Sequence, residues 1–107
     1  MVVNINDLDW QVFFAHSRAD KLKLDGTDCM GITYYQEQEI YLNKDLGTDL
    51  FRQTVIHELS HAFLFSFGYH LDCEMVEEAV CDFLGSHLDK IYKLTNKVIA
   101  VYHKERG

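Results

Sequence analysis

The sequence has no proline, three cysteines and no apolar run long enough to cross a bilayer. Without proline, and without Gly/Ser-rich or low-complexity tracts, nothing reads as a linker. At a prior of roughly 150 residues per domain, 107 residues make one domain spanning 1–107. Cys29, Cys73 and Cys81 form an odd, sparse set, unlike a secreted disulfide framework. The first residues lack a basic segment followed by a long apolar one, so no secretory signal is visible. The longest apolar stretch, 62–67, is interrupted by Ser66 and far short of the roughly 20 residues a membrane helix needs. A cytoplasmic setting with no membrane partner is therefore expected. Basic residues are also scarce. Ten Lys and Arg stand against seventeen Asp and Glu, for a formal charge of −7. That field repels phosphate backbones and argues against nucleic acid held by general electrostatics.

What is abundant is apolar and aromatic surface, 48% and 13% of residues, which excludes disorder of the whole chain. A domain of this length buries about two-thirds of its unfolded surface and needs no metal merely to fold. Trp10, Val12 and Phe14 mark a mostly buried strand. Residues 16–28 are polar and turn-rich, a loop with one helical turn. Residues 30–35 and 39–43 are β-branched and aromatic and flank Gln36-Glu37-Gln38, which predicts a hairpin.

From Thr48 the pattern is helical. Thr48 suits the N-cap, Asp49 the first turn, and Gly68 the position just past the C-terminus. This helix is apolar around most of its circumference and is expected to be buried in mid-domain. A second, acidic helix is expected from Asp72, with an apolar stripe through Val80, Phe83, Leu84, Leu88 and Ile91. Thr95 reads as the cap of a short last helix. The fold class is α+β: a small antiparallel or mixed sheet packed on two helices.

Six histidines are the unusual component, and two belong to His57-Glu58-Leu59-Ser60-His61, an H-E-x-x-H motif. Residues four apart lie one turn apart on one helix face, so both imidazoles can reach one small cation. Neutral imidazole suits Zn²⁺. Glu58 can then act as general base toward a water acidified by the metal. With six His and seven Glu, the motif arises by chance in about 2% of such chains, so its helical context matters. Burying three ionisable groups in an apolar helix without a role is costly.

A catalytic zinc needs a third protein ligand and an open position. The position six beyond His61 is Phe67, which excludes a third histidine at the metzincin spacing. Glu78 and Asp82 on the second helix are an i, i+4 pair. Glu78 can bind the metal while Asp82 accepts the free N–H of a ligand imidazole. By pattern alone Glu78 sits opposite its helix's apolar stripe, and Glu77, Glu74, His70 or a cysteine remain alternatives.

His57-Glu58-x-x-His61 followed by Glu78-x-x-x-Asp82 resembles the gluzincin metallopeptidases. The small size and the hairpin before the motif helix resemble the minimal ImmA/IrrE-like peptidases of bacteria and mobile elements. Residues 54–62 look like that group's active-site helix. Sixteen residues separate His61 from Glu78, and Cys81 stands where the group carries a small residue. The resemblance implies a zincin-like fold and one Zn²⁺ per chain, held by His57, His61 and Glu78. It implies Glu58 as base, Asp82 as the partner of a zinc histidine, and endopeptidase action on a protein or peptide substrate, regulatory proteins included. The alternative from another class is a catalytically silent zinc-binding domain acting by stoichiometric protein contact.

Tyr69, His70 and His87 are candidates for stabilising an oxyanion, each against a packing role. Cys73 and Cys81 read as small core residues. His16 and His103 read as solvated. If residues 39–43 form the sheet edge, that strand can hold an extended peptide beside the metal.

Overall fold

Asn6 and Asp7 both have positive φ, 50° and 65°, the geometry that two-residue hairpin turns require. They join β1 (Val2–Ile5) to β2 (Leu8–Ala15) in an antiparallel hairpin. The computed structural model describes residues 1–69 and 76–106; at 76–79, 81, 82 and 85 it describes the helix backbone alone.

After β2 the polar segment forms one 3-10 turn (Asp20–Leu22) and a miniature hairpin of β3 (Lys23–Leu24) and β4 (Thr27–Asp28). Asp25 and Gly26 turn that hairpin with φ of 51° and 80°. β5 (Gly31–Tyr34) and β6 (Glu39–Asn43) then form the hairpin expected from the two β-rich runs. β6 pairs in parallel with β2, so the main sheet is mixed, with order β1-β2-β6-β5. A parallel neighbour requires a long crossover, which residues 16–38 supply.

This order decides which strand is the edge. Glu39–Asn43 is an interior strand, paired on both sides, and the edge on that side of the sheet is β5.

Val3, Ile5, Trp10, Val12, Ile40 and Leu42 point to one face of the sheet and are all buried. α1 (Thr48–Ser66) packs on them through Phe51, Val55, Leu59, Ala62 and Phe63. Trp10 is fully buried, and its indole N–H donates to Ser66 Oγ at 2.9 Å, so the largest core residue leaves no unmet donor. α1 begins one residue after Gly47, and Gly68 follows its end with φ of 71°, the left-handed closing position. Leu50, Ile56 and Phe65 are exposed, so the helix is covered on most, not all, of its circumference.

α2 (Val76–Arg106) runs unbroken for 31 residues. Thr95 is therefore no cap: it is fully buried inside the helix. The stripe facing the core is Phe83, His87, Ile91, Thr95, Val98 and Tyr102, whereas Val80, Leu84 and Leu88 are exposed. Two polar residues on the stripe disguised its continuity. The expected helix start at Asp72 lies outside the described residues. No described helix is long and apolar enough to cross a membrane.

Candidate metal centre

His57 and His61 leave α1 one turn apart, and their Nε2 atoms lie 3.1 Å from each other. Two ligands of a tetrahedral zinc at about 2.05 Å are separated by about 3.3 Å, so this pair fits one cation. The same distance accommodates one N–H donating to a neutral ring nitrogen. The His57 side chain is 68% exposed, which opens the pair to solvent.

Glu58 is buried, at 5% exposure. Its two carboxylate oxygens have different surroundings. Thr33 on β5 donates its hydroxyl to Oε1 at 2.8 Å, whereas Oε2 lies 4.0 Å from His57 Nε2. One oxygen is tied down and the other lies toward the His57 imidazole. Space for this arrangement depends on Gly31. A Cβ there would lie 2.8 Å from Glu58 Cγ and 2.9 Å from Thr54 Cγ2, closer than packed carbons approach.

Tyr35, just beyond β5, places its hydroxyl oxygen 3.2 Å from His61 Nδ1. Its ring lies 5.3 Å from that of Phe65. Burial, reinforced by the charge of Glu58, raises the Tyr35 pKa, so the phenol stays protonated. For His61 to offer Nε2 to a metal, its Nδ1 must carry the proton and donate to Tyr35 Oη.

Two clefts flank the pair. One of about 410 Å³ is lined by Tyr35, His61, Leu64, Phe65 and Tyr69. The other, about 420 Å³, runs past Cys29, Gly31, Leu50, His57 and Glu58. β5 bounds the site as an edge strand. Asn43 N–H donates to Met30 C=O at 2.9 Å, so by antiparallel alternation the backbone groups of Gly31 and Thr33 face away from β6.

His57, Glu58 and His61 are thus brought together. Among the described residues no group of three or more His, Cys, Asp or Glu side chains forms a metal-holding cluster. The side chains of Glu77, Glu78, Cys81 and Asp82, and the whole of His70, Cys73 and Glu74, lie outside the described residues. His87 lines neither of the two clefts. It is buried among Phe63, Phe67, Tyr69 and Phe83, and Tyr69 Oη is 3.5 Å from its Nε2. His16 and His103 are exposed, as expected.

Nothing in the sequence itself marks Gly31, Thr33 and Tyr35 as site residues. Their only signal was the predicted hairpin immediately before the motif helix, because the strand's contact with Glu58 is set by tertiary packing.

Family models give no match to this chain, and neither curated proteins nor solved structures do.

Proposed function

We propose that this protein is a zinc-dependent metallopeptidase of the gluzincin type, with a zincin-like fold, hydrolysing a peptide bond in a protein substrate. The observation that carries the reading is the convergence of His57 and His61 Nε2 at 3.1 Å beside a buried carboxylate whose free oxygen lies 4.0 Å from His57 Nε2. His57 and His61 hold the cation, with Glu78 as the third ligand and Asp82 accepting from a ligand imidazole. Bound zinc supplies Lewis acidity, polarising the scissile carbonyl and lowering the pKa of water.

Glu58 does the proton work. Thr33 fixes Oε1, leaving Oε2 to take a proton from the attacking water and return it to the leaving nitrogen. The free edge of β5 supports an extended substrate, paired through the backbone of Gly31 and Thr33. The clefts on either side of the imidazoles accommodate substrate side chains.

The test combines metal analysis with proteomics. The native protein should contain about one zinc per chain, lost in His57→Ala and His61→Ala. Glu58→Gln should keep both metal and fold while cleavage products present with the wild type disappear. A zinc-free native protein overturns the proposal. Full biological effect from Glu58→Gln replaces it with the stoichiometric binding reading.

A further inference from the structure

Residues 90–106 contain five basic side chains and one acidic one, a net +4, while the rest of the chain has five basic and sixteen acidic, a net −11. Three of those cations, Lys90, Lys93 and Lys97, recur at i, i+3 and i+7 on α2 and line one cleft of about 340 Å³. All three are exposed, and among the described residues none forms an ion pair. The apolar wall of the cleft comes from Phe63, Phe67 and Leu94.

The opposite wall is β1, the outer strand of the sheet on the side away from β5. Met1 and Val12 exchange backbone hydrogen bonds in both directions, at 3.1 and 2.7 Å. Antiparallel alternation then turns the N–H and C=O of Val2 and Asn4 outward, away from β2. Val2-Val3-Asn4-Ile5 has no charge and no proline, so the strand itself carries neither of two common devices that blunt an edge. The hairpin is also held in place: Asn6 donates to Ser66 C=O at 2.9 Å, and Asn4 donates to Asp9 at 2.8 Å.

We propose that the groove between β1 and α2 is a docking site for an extended acidic peptide segment of a partner protein. The segment adds as a strand to β1 and directs alternate Asp or Glu side chains at Lys90, Lys93 and Lys97. Charge selects this occupant. A second copy pairing edge to edge would bring two lysine faces together, an unfavourable juxtaposition. A long polyanion would run from the groove onto the acidic remainder of the chain. The inference is independent of the proposed hydrolysis, since the groove shares no residue with the imidazole site.

The test uses the Glu58→Gln full chain, which removes any cleavage, and a fluorescein-labelled peptide alternating Glu and Val. The peptide should bind at low ionic strength and weaken as salt is added. The triple variant Lys90→Glu, Lys93→Glu, Lys97→Glu, checked for native circular dichroism, should bind about tenfold more weakly or worse. Amide hydrogen exchange at Val2 and Asn4 should slow on binding. Three results would overturn the proposal: equal binding of a Lys/Val peptide, equal competition by inorganic polyphosphate, or binding that leaves the Val2 and Asn4 amides unchanged. A wild-type groove that binds no peptide overturns it as well.

Discussion

Tyr35 Oη and His61 Nδ1 lie 3.2 Å apart, which couples the tyrosine after β5 to the second imidazole of the motif. The hydroxyl oxygen can accept from Nδ1–H and so favour the tautomer whose Nε2 is free for a metal. Tyr35→Phe keeps the ring against Phe65 and removes only that acceptor. Zinc affinity, measured by competition with a chromogenic chelator, should fall by roughly 10- to 100-fold. Thermal stability of the metal-free protein should barely move. Unchanged zinc affinity would make Tyr35 a packing residue.

Thr33 and Gly31 act on the other member of the pair's surroundings, Glu58. Thr33→Val removes the only described side-chain donor to Oε1, leaving a buried carboxylate oxygen unmet. Zinc content should hold while peptide turnover falls by roughly 10- to 100-fold. Gly31→Ala drives a methyl into Glu58 and Thr54 and should cost about 1–3 kcal/mol of stability, read from urea denaturation. A fully stable Gly31→Ala protein would show that β5 retreats from α1 more easily than this packing implies.

These residues also explain what could be read in the chain beforehand. His57 and His61 are four apart on one helix, so α-helical geometry alone brings them together. Glu58's neighbours come from a strand 25 residues upstream, and nothing local to Thr33 announces that contact. The β5–β6 hairpin was legible because its period and turn are local. The interior position of β6 was not, since it follows from a parallel pairing with β2 across residues 16–38. On α2, Thr95 carries both helix-capping chemistry and a core-facing position. Its place on the buried face of the helix, with Ile91 and Val98, decides between them.

That buried threonine makes its own prediction. Thr95 Oγ1 has no hydrogen-bond partner among the described residues, although the side chain is fully buried. Valine has nearly the same shape and no hydroxyl to desolvate. Thr95→Val should therefore stabilise the protein by about 1 kcal/mol, seen as a higher urea midpoint at constant slope. A loss of stability would mean that the hydroxyl is satisfied by water.

His87 is the second polar residue on that stripe, and its effect depends on pH. Burial among aromatic rings, and secondarily the charge of Lys90, lowers its pKa below the ordinary 6.5. Its Nδ1 has no partner among the described residues to offset the cost of charging. As pH falls below about 6.5, the unfolded chain takes up this proton before the folded chain does. His87 therefore imposes no penalty above that value, and stability is lost progressively as pH drops toward the depressed folded pKa. His87→Leu removes this linkage while preserving an apolar filling. Urea midpoints from about pH 8 to about pH 5 should fall less steeply in the variant than in the wild type. The difference between the two curves isolates this one imidazole from the other five. Parallel curves would mean that His87 takes up its proton as readily in the folded chain as in the unfolded one.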